Sequence, residues 1–278
     1  MGFRVGLTYN VKSEFVLKPG DPPDLNAEFD HDDTIAYIEK ALKDAGHEVV
    51  RVGNARQLLE RRGQFDVDIV FNIAEGYGGR NRESQVPILL EMLRIPFVGA
   101  DGLTLGLTLD KVLTKKVLIA EGIPTPRFAE VNDPDRLWTV ELSYPLIVKL
   151  RCEGSSKGLS ERSLVNTPKE LREQVRWLMD TYRGSSVFIE EFIEGNEFTV
   201  AIIGNDPPEA YPVCQIALDG QTELGETAKF KKFCLCGIRY HIAFDSSVLK
   251  KCFGFSRSGT ANPFNVHPKG HLHVVMAA

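Results

Sequence analysis

Apolar positions in the first hundred residues follow two rhythms. Short, almost continuous apolar runs (FRVGLTY, HEVVRV, DIVFNI, IPFVGA) alternate with segments whose apolar residues fall three and four apart. DDTIAYIEKALKDAG sets Ile35, Ile38, Ala41 and Leu42 on one helical face, with Gly46 just past its end. NARQLLERR and ESQVPILLEMLR read as two further helices. Buried strands alternating with helices predict a parallel sheet covered on both faces, with its ligand crevice at the carboxyl ends of the strands. Those ends are TYN, NIAEGYGGRN and VGADG, so the glycine-rich stretch 76–79 borders the crevice. No dinucleotide fingerprint follows the first strand, which argues against a nicotinamide enzyme.

The pattern then changes. LDKVLTKKVLIAEG is a helix stopped by Gly122, and Pro124 and Pro126 mark a boundary. RFAEV, PLIVKL and LSERSLV read as strands. TPKELREQVRWLMDTY is a helix with Thr167 as cap, Pro168 in its first turn and Glu170 completing a capping box. SVFIEEFI, NEFTVAII and YPVCQIAL follow as antiparallel strands, with turns at Gly195-Asn196 and around Asp206-Pro207-Pro208. An α/β unit is thus followed by an α+β unit.

Composition narrows the picture modestly. Hydrophobic residues make up 43% and charged residues 26%, ordinary for a globular chain, and no apolar run is long enough to span a bilayer. The N-terminus reads as a strand rather than a signal, so a cytoplasmic protein without a membrane partner is expected. Five cysteines do not suggest a disulfide framework. Cys234, Cys236 and Cys252 with the late histidines lack a standard zinc spacing, and incidental thiols are the better reading. The net charge of −5 conceals an uneven distribution: residues 229–278 carry eight Lys or Arg against Asp245 alone. No nucleic-acid recognition motif accompanies this basic tail, and no nucleic-acid partner is expected.

The sharpest chemical signal is KLRCEGSSKGL, residues 149–159, directly after an apolar strand. Glycine admits backbone N–H groups close to an anion, serine adds hydroxyls and lysine adds charge. It is not the common phosphate loop, because Lys149 precedes the loop and no helix opens after it. An ordinary turn rich in Gly and Ser remains the alternative on this stretch alone.

Three longer motifs decide the matter. VGADGLTLGLTLDKVLTKKVLIAEGIPTP, YPLIVKLRCEGSSKGL and VFIEEFIEGNEFTVAIIG, in this order, resemble the D-alanine–D-alanine ligases of the ATP-grasp superfamily, from about residue 70 to about 205. Leu150 stands where a proline is usual, and Lys157 where a small apolar residue is common. The resemblance implies a parallel-sheet, substrate-side domain over 1–102, a central ATP-grasp subdomain with a Gly/Ser lid loop over 103–184, and an incomplete C-terminal subdomain over 185–278. It implies that ATP and Mg²⁺ take part, with an acyl-phosphate intermediate, a small-molecule substrate such as D-alanine and a role in peptidoglycan synthesis. It leaves room for a homodimer. Lys111 and Lys149 would contact the ATP phosphates, as mobile point charges suited to that task. Glu190 and Glu197 would lie near base and ribose, Glu191 and Ile193 beside adenine, and Glu153, Ser155 and Ser156 in the lid loop. Glu28 is the candidate for holding the first substrate's amine and Asp30 the next, against the alternative of acids favoured at a helix start. Ser155 and Lys229 join Glu28 as catalytic candidates.

The tail departs from the family. Asn262 falls on the metal-ligand asparagine, but Thr260 stands where a glutamate belongs, and no Arg-x-Asp pair is visible before it. Divergence, deletion or a frame error between about 230 and 260 are all open on the sequence. Two readings follow from different classes: an ATP-dependent carboxylate–amine ligase, or a nucleotide-binding protein with impaired or lost catalysis.

Overall fold

The computed structural model describes residues 2–61, 64, 66–131, 133–135, 141–195, 198–205, 207–211, 214–215 and 275–276. The first strand, β1 (Arg4–Tyr9), is followed by α1 (Asp32–Asp44), β2 (Glu48–Gly53), α2 (Ala55–Arg61), β3 (Ile69–Ile73), α3 (Gln85–Leu93) and β4 (Phe97–Val98). These strands form one parallel sheet in the order β2-β1-β3-β4, as the alternation of apolar runs and helices predicts. Its two faces carry separate cores. Val5, Leu7 and Phe71 pack on Ile35, Ile38 and Leu42 of α1. Val52 and Val70 pack on Leu58, Val86 and Leu90 of α2 and α3. Gly6 is what lets the second layer close: a Cβ there would meet Val70 Cγ2 at 3.1 Å and Val52 Cγ2 at 3.2 Å.

Two consecutive helices follow, α4 (Gly102–Leu109) and α5 (Lys111–Ala120). The periodicity picks out only α5, because GLTLGLTL is rich in glycine and threonine, poor helix formers. Capping supplies what propensity lacks: Asp101 accepts from Thr104 N at 2.7 Å, and Asp110 ends α4 and accepts from Leu113 N at 3.1 Å to start α5.

The next sheet is antiparallel, built from β5 (Phe128–Val131), β6 (Leu146–Leu150), β7 (Leu164–Val165) and β8 (Val187–Glu191) in the order β5-β8-β6-β7. Helix α6 (Pro168–Thr181) covers one face, with Leu171, Val175 and Leu178 on Leu146, Val148, Leu150, Val187 and Ile189. Because side chains alternate, Lys149 and Glu190 project from the opposite face. Thr167 caps α6 by accepting from Glu170 N, while the Glu170 carboxylate accepts from Asn166 N at 2.7 Å, one residue earlier than a capping box requires. LSERSLV is a strand only at its end. Ser160 caps a single 3₁₀ turn over Glu161–Ser163, because its hydroxyl accepts from Arg162 N, and β7 is confined to Leu164–Val165.

Beyond β8, short antiparallel pairings join β9 (Phe198–Thr199) to β12 (Cys214–Gln215), and β10 (Ala201–Ile203) to both β11 (Glu209–Ala210) and β13 (Val275–Met276). Most of YPVCQIAL and the Asn196 and Asp206 positions of the expected turns lie outside the described residues, as do Cys234, Cys236 and Cys252. Among the described residues no helix is long and apolar enough to cross a membrane.

Candidate functional site

The site forms where the face of the antiparallel sheet away from α6 meets the carboxyl ends of the parallel strands. It contains two charge clusters. The first begins on β6 and β8, where register sets Ile147 opposite Glu190 and Lys149 opposite Phe188. Lys149 Nζ donates to Glu190 Oε1 at 2.7 Å, and Lys115 Nζ pairs with Glu190 Oε2, also at 2.7 Å. Burial pushes the Glu190 carboxyl up, yet Lys149 and Lys115 hold it below the usual carboxylate range. Lys115 is fully engaged, since it also donates to Thr125 Oγ1 and to the Pro126 carbonyl and lies over the Phe128 ring. Lys149 spends one donor on Glu190, and its side chain keeps 26% exposure.

Lys111 enters from the first residue of α5. Its position is fixed by Asp110, which is fully buried, caps the helix, and receives Arg151 Nε at 2.7 Å and Nη2 at 2.8 Å. The bidentate pair ties the start of α5 to the residue after β6. Burial first, and then the Lys149 ammonium, push the Lys111 ammonium below the usual lysine value. Its Nζ donates to the Glu153 carbonyl, so the loop after β6 sits on this lysine.

The second cluster joins that loop to the N-terminal sheet. Glu28 Oε1 accepts from Arg82 Nη2 and from Gly154 N, and Glu28 Oε2 accepts from Lys157 Nζ at 2.8 Å. Lys157 also donates to Glu153 Oε2 at 2.6 Å, and Arg82 Nη1 donates to the Cys152 carbonyl at 2.7 Å. The side chains of Glu28, Arg82 and Lys157 are only 2%, 6% and 5% exposed. Burial raises the Glu28 carboxyl, but Arg82 and Lys157 outweigh it and hold the group below its ordinary value. Farther along the loop, Gly158 N donates to Asp24 Oδ2 at 2.8 Å, and Tyr182 Oη donates to Asp24 Oδ1 at 2.6 Å. The segment between β1 and α1 therefore supplies both Asp24 and Glu28.

Glu28 precedes α1, and the acids in that helix's first turn are Asp32 and Asp33, so its setting is the cluster and not the helix dipole. Asp30 bonds through its backbone to Asn10 and Lys12, and burial pushes its carboxyl up. Ser155 and Ser156 sit exposed at the loop tip with φ of 46° and 56°, a left-handed pair that turns the chain. Glu191 accepts from Ser143 N at 2.9 Å and pairs with Arg127, and Ile193 beyond it is 66% exposed. The 76–79 loop closes at the end of β3, where Gly76 N donates to Asn10 Oδ1 at 3.0 Å. Beside it Glu75 is pushed up to about 8, by burial first and then by Glu83 and Glu28. Glu197, Lys229 and Asn262 lie outside the described residues.

The structure thus gathers Glu28, Glu153, Lys111, Lys149 and Glu190, and adds Arg82, Lys115, Asp110, Arg151 and Asp24, which the motifs alone do not single out. Lys115, one helical turn after Lys111, is recoverable from spacing. Arg82 carries no such mark.

Residues 117–230 match the family model described as D-ala D-ala ligase C-terminus. An uncharacterized protein, y4sG, of Sinorhizobium fredii is 34% identical over 189 residues, covering 65% of this chain and 55% of that protein. The D-alanine–D-alanine ligase of Pseudomonas putida (strain GB-1) is 39% identical over 170 residues, covering 60% of this chain and 51% of the ligase. The chain spans about half the length of these curated relatives. Among solved structures, the D-alanine–D-alanine ligase of Bacillus anthracis superposes with TM-score 0.58 at 24% identity, covering 82% of this chain and 69% of the other. At that identity the likeness speaks for the fold, a parallel-sheet unit followed by an ATP-grasp unit. Family model, relatives and fold agree with the motifs: what this chain is similar to, over part of its length, is the D-alanine–D-alanine ligases.

Proposed function

We propose that the chain is an ATP-dependent carboxylate–amine ligase of the D-alanine–D-alanine ligase type, joining D-alanine or a related acid to an amine. One observation carries the reading: Lys111 Nζ donates to the Glu153 carbonyl of the Gly/Ser loop, and burial first, then the Lys149 ammonium, push the Lys111 ammonium below the usual lysine value. Lys149 already has the Glu190 carboxylate, whereas the Lys111 ammonium rests on a neutral carbonyl, and a buried ammonium is costly until an anion such as a polyphosphate joins it. The loop adds backbone N–H groups and the Ser155 and Ser156 hydroxyls, placed by left-handed backbone at its tip. A ligase of this family has been solved with ATP bound, that of Bacillus anthracis.

ATP, when bound, supplies the γ-phosphoryl group that activates the acid. A carboxylate oxygen attacks the γ-phosphorus, the bond to the β-phosphate oxygen breaks, and ADP leaves with the electron pair. An amine then attacks the acyl carbon and loses a proton as phosphate departs. Lys111 and Lys149 neutralise charge on the phosphates, Lys115 and Glu190 hold Lys149 in place, and the loop excludes water. Magnesium belongs to the same reading. The residue that the resemblance assigns to it, Asn262, is outside the described residues, among which no group of three His, Cys, Asp or Glu is arranged for a metal. A cytoplasmic location, a place in peptidoglycan synthesis, a homodimer and the three-part division at 102 and 184 go with the proposal.

Calorimetric titration with ATP tests it. Lys149→Ala should weaken binding by about 10- to 100-fold, the worth of one charge-assisted contact. Equal affinity in both proteins would remove Lys149 from the site. Phosphate release on adding an acid and an amine separates a ligase from a protein that only binds nucleotide.

A further inference from the structure

We infer that Lys157 sets the substrate class: it places the chain's own ammonium on Glu28, so the first substrate is a carboxylic acid without an ammonium on its α-carbon, a 2-hydroxy acid or a plain carboxylate. The inference rests on the ligase reading above, and deepens it.

Glu28 is the carboxylate that the resemblance offers to a substrate amine, yet both its oxygens are already engaged by three donors, Arg82, Gly154 N and Lys157. Charge points the same way. Arg82 and Lys157 face Glu28 and Glu153, and all four pair among themselves, so the quartet is neutral as it stands. A further ammonium would add positive charge beside Glu28, Arg82 and Lys157, whose side chains are almost wholly buried, a setting in which charge is expensive.

Lys157 is also not a surface lysine that can swing aside. The next residue, Gly158, has φ of 74° and gives its N–H to Asp24, which Tyr182 holds in turn. A Cβ at Gly158 would lie 3.0 Å from both Leu150 Cδ1 and Leu178 Cδ2, so the backbone here lies hard against the core of the antiparallel sheet. The lysine stem is therefore anchored where a small apolar side chain would leave Glu28 open toward an incoming amine.

Three acids of one size make the test: D-alanine, D-lactate and propionate, differing at one substituent. ATP turnover trapped with hydroxylamine, and calorimetric titration of each acid into the protein, give two independent ratios. The wild type should favour D-lactate or propionate over D-alanine by more than tenfold in both. Lys157→Val should move that ratio at least tenfold toward D-alanine, and Lys157→Met, which keeps most of the stem's packing, reads the same shift should Val not fold. Preference of the wild type for D-alanine, or a ratio unmoved in the variants, would overturn the inference. ATP binding without stimulation by any of the three acids would overturn it while leaving the nucleotide site standing. Absence of ATP binding would overturn the ligase reading and this one with it.

Discussion

Glu190 and Glu28 are each a buried carboxylate between two cations, and they are completed differently. Glu190 joins Lys149 and Lys115 from β6 and α5, and one of its partners, Lys149, stays a quarter exposed with donors to spare. Glu28 joins Arg82 to Lys157 across the two units, and every side chain of that trio is nearly sealed from water. An open shell can receive a ligand, whereas a closed one holds two parts of a protein together. That contrast separates binding chemistry from latching chemistry within one site.

Removing the closed shell should have the largest effect. Glu28→Ala leaves Arg82 and Lys157 to share Glu153 alone, one carboxylate against two buried cations, which should cost about 3–5 kcal/mol of stability in urea denaturation. The loop 152–158 should become accessible to protease in the folded protein, because Gly154 N loses its acceptor. Intact stability would mean that the cluster is no latch.

Glu190→Ala should cost less, about 2–3 kcal/mol, because Lys149 can turn toward water while Lys115 keeps Thr125 and Pro126. It should weaken ATP binding as well, which Glu28→Ala should do only through the loop. A loss equal to that of Glu28→Ala would erase the distinction between the clusters.

Glu75 offers a third case, a carboxyl beside the closed cluster, raised to about 8 from an ordinary 4.5. Its folded form holds a proton that its unfolded form has lost, so stability falls as pH rises from about 4.5 to about 8, by at most ~1.4 kcal/mol per unit. Glu75→Gln should flatten that fall, read from melting temperature against pH. Glu28 has the opposite sign, since its lowered pKa contributes stability that is lost only as pH drops below its ordinary value of 4.5. An identical pH profile in Glu75→Gln and wild type would show that Glu75 ionises normally.

The smallest effect serves as a reference. Thr167→Ala removes a helix cap far from either cluster and should cost about 1 kcal/mol. Combined with Glu28→Ala it should add to within about 0.5 kcal/mol, whereas Glu28→Ala and Lys157→Met should not add.

Much of this site is legible in the chain. Period-two alternation in PLIVKL and VFIEE puts Lys149 and Glu190 on the face away from α6, and the Asp-Lys pair at 110–111 reads as a cap followed by the first residue of a helix. The 3₁₀ turn at Glu161–Ser163 was less legible, because its apolar ends suit a strand and only the Ser160 hydroxyl decides otherwise.

Local pattern therefore determined the parallel sheet, the second sheet with α6 on one face, the glycine-serine loop and the lysines beneath it. All of these depend on neighbours within a turn or a strand pair, whose geometry the chain repeats. The pairing of Glu28 with Arg82, 54 residues away, and with Lys157, 129 residues away, was decided only by the tertiary structure. A lysine or arginine announces its charge but not its partner; which carboxylate it meets, and whether water reaches the pair, is settled by how the two units pack around them.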